Sequence, residues 1–236
     1  MRLGVTLPSF GEDAAGVIAA ALAAERLGIH GVFSFDHLWP LGSPGRPSLS
    51  LFPMLGAVAA ATGTIRLGSL VARIGLVPDA VVLASLASLR QIAGERLVAG
   101  LGTGDDASAP EHERNGIPYL GAGARLASLS AVCAQLLSAG VECWIGAGTT
   151  ATNDVARSLG AVLNLWDASS DRVEREVQRG TRVSWGGPLR GGVDAAATTL
   201  AALRAAGCEW AVWGWPSALE TVVESAVAAG IELGAP

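Results

Sequence analysis

The chain has 236 residues, half of them hydrophobic, and a formal net charge of −5 at pH 7. That balance leaves no basic stripe of the kind a nucleic-acid or anionic-membrane binder needs, so neither partner is expected. All 16 positive side chains are arginines, which excludes a Schiff-base former, an ammonium base and a Walker-type lysine.

Eight times the chain repeats an apolar run, a loop, a helical stretch and a glycine. The runs read as strands at residues 2–7, 30–35, 65–71, 96–101, 142–146, 161–166, 181–185 and 209–214. The glycines are Gly28, Gly63, Gly94, Gly140, Gly160, Gly180, Gly207 and Gly230, placed where a left-handed residue closes a helix. Helix starts are expected at Asp79, at Asn153 and Asp154, at Ser170 and Asp171, and at Ser217, whose oxygens can accept from free first-turn amides. Val81, Leu83, Leu86, Leu89 and Ile92 mark the buried face of one helix.

Strict alternation of this kind demands a parallel sheet with right-handed crossovers. Eight units in this length predict an α/β protein, a closed (β/α)8 TIM barrel forming one domain over residues 1–236. The first loop, Pro8-Ser9-Phe10-Gly11, is not a Gly-x-Gly-x-x-Gly turn, which counts against an open dinucleotide-binding sheet. No leader pattern follows Arg2 and no apolar stretch has the length of a membrane span, so a soluble cytoplasmic protein is expected. Cys133, Cys143 and Cys208 lie far apart and are expected as buried thiols.

In such a barrel the chemistry gathers at the C-terminal ends of the strands. The second strand ends in Asp36, His37 and Trp39. His37 is the foremost candidate for a reacting group, because imidazole titrates near neutrality. After the fourth strand, Gly102-Thr103-Gly104 lets the backbone approach a flat ligand and Asp105 presents a carboxylate; residues 102–121 are expected to form one long functional loop. After the fifth, Gly146-Ala147-Gly148-Thr149 opens a helix whose free amides and hydroxyl can hold a phosphate.

Trp144, Trp166, Trp185, Trp210 and Trp213 fall in strands and are expected to fill the core; core packing is the default for Trp39 and Trp215 as well, but past strand ends these two could instead wall an aromatic ligand. His30 begins a strand, on the stability face, and His112 lies in the long loop. The group Asp105, Asp106, Glu111, His112 and Glu113 reads as a solvated loop as readily as a hard-cation site, and no metal is assigned. The lack of a Gly-x-Ser-x-Gly elbow weighs against a hydrolase.

Several of these segments together resemble the luciferase-like monooxygenase superfamily, and within it the branch that depends on the deazaflavin coenzyme F420. The carriers are Ser34-Phe35-Asp36-His37, the Thr-Ile-Arg-Leu-Gly-Ser of residues 64–69, the Gly-Glu-Arg-Leu-Val-Ala-Gly-Leu-Gly-Thr-Gly-Asp of residues 94–105, the Gly-Ile-Pro of residues 116–118, Trp144-Ile145-Gly146-Ala147-Gly148 and Asn164-Leu165-Trp166. The resemblance runs nearly end to end. It implies a flavin or deazaflavin ring over the strand ends, its phosphate tail toward the loops after the fifth and sixth strands. His37 matches the family histidine beside the ring with Asp36 ahead of it, and Asp105 matches an acid of the F420-dependent dehydrogenases. Leu70-Val71 matches a cis non-proline bulge under the ring, and Gly146, Gly148 and Thr149 match the phosphate-binding turn. Gly102, Gly104 and Trp39 complete the expected cofactor contacts.

The implied activity is hydride transfer between the deazaflavin C5 and a small organic substrate. Alternatives are an FMN-dependent monooxygenase, a non-catalytic flavin-binding barrel, and a phosphate-binding lyase or isomerase on the same scaffold. Two departures stand out. Only residues 186–193 separate the seventh strand from its helix, where relatives often carry an insertion, and the lysine some relatives use near the cofactor tail is absent. Arg46, Arg73 or Arg190 could meet a phosphate or carboxylate instead. Relatives are often dimers or tetramers, so a homodimer is expected, with no interface fixed.

Overall fold

The computed structural model describes residues 1–40, 42–214 and 216–234. In chain order the elements are β1 (Arg2–Thr6), α1 (Ala14–Arg26), β2 (Gly31–Ser34), α2 (Leu51–Ala61), β3 (Arg66–Ser69), β4 (Ala72–Arg73), α3 (Asp79–Ala93), β5 (Leu97–Gly102), α4 (Ala109–Arg114), α5 (Ala122–Ser138), β6 (Glu142–Gly146), α6 (Thr150–Leu159), β7 (Val162–Trp166), α7 (Ser170–Gln178), β8 (Val183–Gly187), α8 (Gly192–Ala205), β9 (Trp210–Trp213) and α9 (Leu219–Ala228). All strand pairings are parallel, in the order β3-β2-β1-β9-β8-β7-β6-β5-β4, and β3 also pairs with β5. The sheet is therefore a closed barrel. Its strands make eight staves, because β3 and β4 are two halves of one stave that part at Leu70-Val71, where the peptide bond is cis as the family resemblance implied.

Two apolar layers hold the barrel. Between staves and helices lie residues such as Leu3, Leu67, Leu86, Leu129 and Leu200. Inside the barrel Phe33, Val98, Trp144, Val162, Trp210 and Val212 pack together. The rings of Phe33 and Trp144 stack at 4.9 Å, and Trp210 meets each of them edge-on, at 5.9 and 5.5 Å. Glycines on neighbouring staves make the room: a Cβ on Gly4 would lie 2.8 Å from the Phe33 ring, and one on Gly31 would lie 2.9 Å from Trp210.

The helices follow the sequence signals with local departures. Seven of the eight expected closing glycines have positive φ, but Gly63 does not. There α2 ends at an extended Thr62, and Glu25 from α1 accepts hydrogen bonds from the amides of Gly63, Thr64 and Ile65, which does the terminating work. Thr149 and Ser169 cap α6 and α7, so Asn153 and Asp154 lie inside α6; Asp79 is the first helical residue of α3, and α9 begins only at Leu219. The buried face of α3 is Val82, Leu86, Leu89 and Ala93, leaving Val81 and Ile92 46% and 50% exposed. The 4-3-4 spacing of the buried set keeps one line along the helix, and residues 81 and 92 fall beyond its edge.

The expected long loop after β5 is largely helical: a 3₁₀ turn at Asp106–Ser108 leads into α4. All three cysteines are free and buried. Among the described residues no helix is long and apolar enough to cross a membrane.

Candidate active site

A cavity of about 330 Å³ opens at the C-terminal ends of the staves. Leu70 and Val71 line it from the broken stave, Gly102 to Asp105 from β5 and its turn, Gly146 to Gly148 from β6, and Phe35, His37, Asn164 and Trp166 from β2 and β7. Missing side chains shape it: a Cβ on Gly102 would lie 2.4 Å from Val71 Cγ2, and one on Gly146 would lie 3.4 Å from Val71 Cγ1. Val71 can therefore pack closely on both glycines while, partly exposed, it lines the cavity as an apolar surface. Trp166, 38% exposed, lies over Gly186 and Gly214, whose added Cβ atoms would meet its ring at 2.8 and 3.0 Å, and it packs edge-on against Phe35.

The polar side of the cavity is organised by Glu111, which α4 carries back beneath the end of β2. Its carboxylate is 1% exposed. It accepts hydrogen bonds from the amides of Leu38 and Trp39, faces His37 Nδ1 at 3.3 Å and pairs with Arg73 Nη1 at 2.5 Å. Burial pushes this carboxyl up, but the His37 hydrogen bond, the Arg73 charge and the Leu38 amide outweigh that and hold it down at about 2. An ionised Glu111 selects the imidazole tautomer with hydrogen on Nδ1, which leaves Nε2 as the atom available to a ligand in the cavity.

Asp36 lies behind this layer and is not among the lining residues. Its Oδ2 accepts from the Arg73 amide at 2.9 Å, and burial pushes its carboxyl up against the opposing pull of that amide and of the Arg73 charge.

No curated protein matches this chain, but a family model does: that of the luciferase-like monooxygenases aligns with residues 1–207. The chain belongs to the luciferase-like monooxygenase family. Solved structures agree on the fold. An F420-dependent secondary alcohol dehydrogenase, bound to an F420-acetone adduct, superposes with a TM-score of 0.75 at 12% identity, covering 97% of this chain and 98% of the other. A monooxygenase from Streptomyces bottropensis gives 0.73 at 15% identity over 95% and 96% of the two chains. The coenzyme F420 dependent tetrahydromethanopterin reductase of Methanopyrus kandleri gives 0.70 at 14% identity over 98% of each.

In this luciferase-like barrel the sequence-derived candidates divide by place. His37, Leu70, Val71, Gly102, Gly104, Asp105, Gly146 and Gly148 all line the one cavity. Asp105 also accepts a hydrogen bond from Ser108 Oγ at 3.1 Å, so its carboxylate is anchored at the rim. Thr149 lies in an adjoining cavity of about 480 Å³, reached past Gly104, Asp105 and Gly148, where it caps α6. Trp39 lines neither cavity: its amide is bound by Glu111 and its ring lies 6.0 Å from the Arg114 guanidinium of α4, which turns it outward. Trp215 falls outside the described residues.

Of the three arginines considered, Arg73 lines the cavity, Arg46 is exposed and Arg190 pairs with Asp167 at 3.2 Å. The acidic group after β5 does not converge. Glu111 turns inward to Arg73, and no cluster of three or more metal-ligating side chains forms among the described residues.

The cavity suits a flat ring. A cavity lined by Leu70 and Val71, by the side-chain-free backbone of Gly102 and Gly146 and by the aromatic wall of Phe35 and Trp166 has room for a planar ligand, while Nε and Nη2 of Arg73 are buried donors without a partner among the described residues.

Proposed function

We infer that this chain is a single-domain F420-dependent oxidoreductase, transferring hydride to or from a small organic substrate held beside His37. The observation that carries the reading is the pairing of His37 with a buried, ionised Glu111 in the same cavity as the apolar Leu70-Val71 surface. A proton-handling group and a ring-binding surface are what hydride transfer at a carbonyl or alcohol carbon requires. When bound, a deazaflavin supplies or accepts the hydride.

The chain's own residues account for the rest. Leu70, Val71, Gly102 and Gly146 would seat the ring; Gly148 and Thr149 would face its tail; Phe35 and Trp166 would keep water from the reacting carbon. In the oxidising direction His37 Nε2 would take the proton of the substrate hydroxyl, giving an imidazolium that the Glu111 carboxylate stabilises; in the reducing direction that imidazolium would give the proton from Nε2 to the substrate oxygen. Glu111 keeps the ring oriented for both, and Asp105 at the rim would orient the substrate.

FMN with oxygen chemistry is the second reading, supported by the monooxygenase relative from Streptomyces bottropensis. Equilibrium binding of F420 and of FMN, measured side by side at matched salt, separates the two. Tighter F420 binding is expected, followed by alcohol or carbonyl turnover that His37→Ala lowers about 10²- to 10⁴-fold. Tighter FMN binding would move the function to oxygen-using chemistry. Binding of either without turnover, and with no effect of His37→Ala beyond affinity, would leave a carrier barrel.

A further inference from the structure

Arg73 is an arginine whose surroundings answer only part of its charge. Its side chain is 4% exposed, and it sits at the end of β4 against the cavity. Nη1 meets Glu111, but Nε and Nη2 are buried with no hydrogen-bond partner among the described residues. Burying a guanidinium is costly, and leaving two of its donors unanswered adds to that cost unless something else supplies the acceptors.

The two unanswered nitrogens are a matched pair. In a planar guanidinium, Nε–H and one Nη2–H point the same way, forming the fork that receives the two oxygens of a carboxylate. The Glu111 carboxylate meets Nη1, on the other side of the group, as an ion pair at 2.5 Å. His37 shares that Glu111 carboxylate, so the fork and the imidazole are held from one anchor and line one cavity. The titratable groups that act on the Arg73 charge include Glu111, Asp36 and His112, and Asp36 accepts from the Arg73 backbone amide at 2.9 Å.

We propose that Arg73 is a specificity-determining residue that receives a carboxylate of the substrate, so that the enzyme acts on small carboxylic acids. The proposal rests on the hydride-transfer reading for the reaction but not for the binding. A carboxylate seated on the Nε and Nη2 edge would place the neighbouring carbon in the cavity that His37 lines. The pyrimidine edge of a flavin-type ring also offers acceptors to such a fork, and the test separates the two sources.

The experiment is titration of wild type, Arg73→Lys and Arg73→Gln with acetate, pyruvate and benzoate, and with ethyl acetate, ethyl pyruvate and methyl benzoate as neutral partners, followed by tryptophan fluorescence with and without saturating cofactor. At least one acid should bind wild type ten-fold or more tightly than its ester. Both variants should lose that preference while keeping their affinity for the esters, Arg73→Lys included because an ammonium lacks the fork.

An absence of acid preference in wild type, or its survival in both variants, would overturn the proposal. Loss of F420 or FMN affinity in the variants without any acid preference in wild type would assign the fork to the cofactor ring and equally overturn it. If neither variant folds, the arginine Nε–H resonances of wild type decide: the preferred acid must shift one buried Nε–H and its ester must not. Acid preference in a protein that binds neither F420 nor FMN would remove the cofactor reading and leave this one standing.

Discussion

The two ends of the barrel are built on opposite terms. Toward the N-terminal ends of the staves, Phe33, Trp144 and Trp210 fill the interior, and the charges around them are largely matched. Arg66 pairs with Glu142 at 2.7 Å, Trp144 Nε1 donates to the same carboxylate, Arg182 holds Glu209 at 2.8 Å, and His30 Nδ1 accepts from the Leu3 amide. Single donors, Trp210 Nε1 and Arg66 Nε, remain there without a hydrogen-bond partner among the described residues. Toward the C-terminal ends, glycines line a cavity, an aromatic side chain stands partly in solvent, and a buried guanidinium keeps Nε and Nη2 without a hydrogen-bond partner among the described residues. One sheet runs through both ends, so substitutions along its length can test how far packing and ligand binding depend on each other. The filled end closes the barrel, and that closure gives the hollow end the rigidity to keep unanswered groups in place.

Substitutions can break or sharpen that contrast. The largest effect is expected from Trp210→Ala, which empties the aromatic layer and should cost about 3–5 kcal/mol in denaturant unfolding while leaving cofactor affinity unchanged in the folded protein. A large loss of affinity would show that the ends are coupled.

Glu111→Ala tests the contrast from the other side, because it strands the Arg73 charge in the interior; a cost of about 3–5 kcal/mol is expected from a site that otherwise serves binding. The same carboxyl has a pH signature. Its folded value of about 2 lies below its ordinary 4.5, so its contribution is complete above pH 4.5 and is lost as pH falls toward 2. The amount is roughly 3 kcal/mol, and Glu111→Gln should remove that part of the acid dependence of unfolding.

Gly31→Ala places a methyl against Trp210 and should cost about 1–3 kcal/mol by overfilling, read from the shift in denaturation midpoint. Trp166→Ala should change stability least, by less than about 1 kcal/mol, and should weaken flavin or deazaflavin binding about ten-fold. The reverse pattern at Trp166 would make it part of the core after all.

The barrel was legible because its punctuation is local. A glycine closing each helix and an apolar run after it need no long-range information, and where Gly63 departed from that rule the cause was Glu25, a carboxylate some forty residues earlier in the chain. The cavity was legible where a strand end was itself the signal, as at His37, Gly102 and Gly146.

It was not legible where folding brings distant segments together. Glu111 organises the polar wall from 74 residues beyond His37, and in sequence it sat within a run of acids that looked solvated. Ala109-Pro110 ahead of it is a helix-start pattern that could have shown the segment turning inward. Trp166 looked like core because it lies in a strand. Only the pairing of β7 with β8, and the glycines at 186 and 214, show that the last residue of that strand has emerged into the cavity. Asp36 and Trp39 flank His37 in sequence but do not join it in lining the cavity, since a turn sends neighbouring side chains in different directions.

The divided stave has a consequence of its own. β3 pairs with β2 and β5, whereas β4 pairs with β5 alone, so near the C-terminal end the wall between β2 and β4 has no strand ladder. Side-chain carboxylates answer the amides there: Asp36 takes that of Arg73, and Glu111 takes those of Leu38 and Trp39. Ladder carbonyls do not titrate, but carboxylates do. Amide-proton exchange along this seam should therefore respond to acid in a way that amides held by strand carbonyls do not. Burial raises Asp36, so the Arg73 amide should lose its protection first on acidification, while the Leu38 and Trp39 amides hold until Glu111 itself takes a proton.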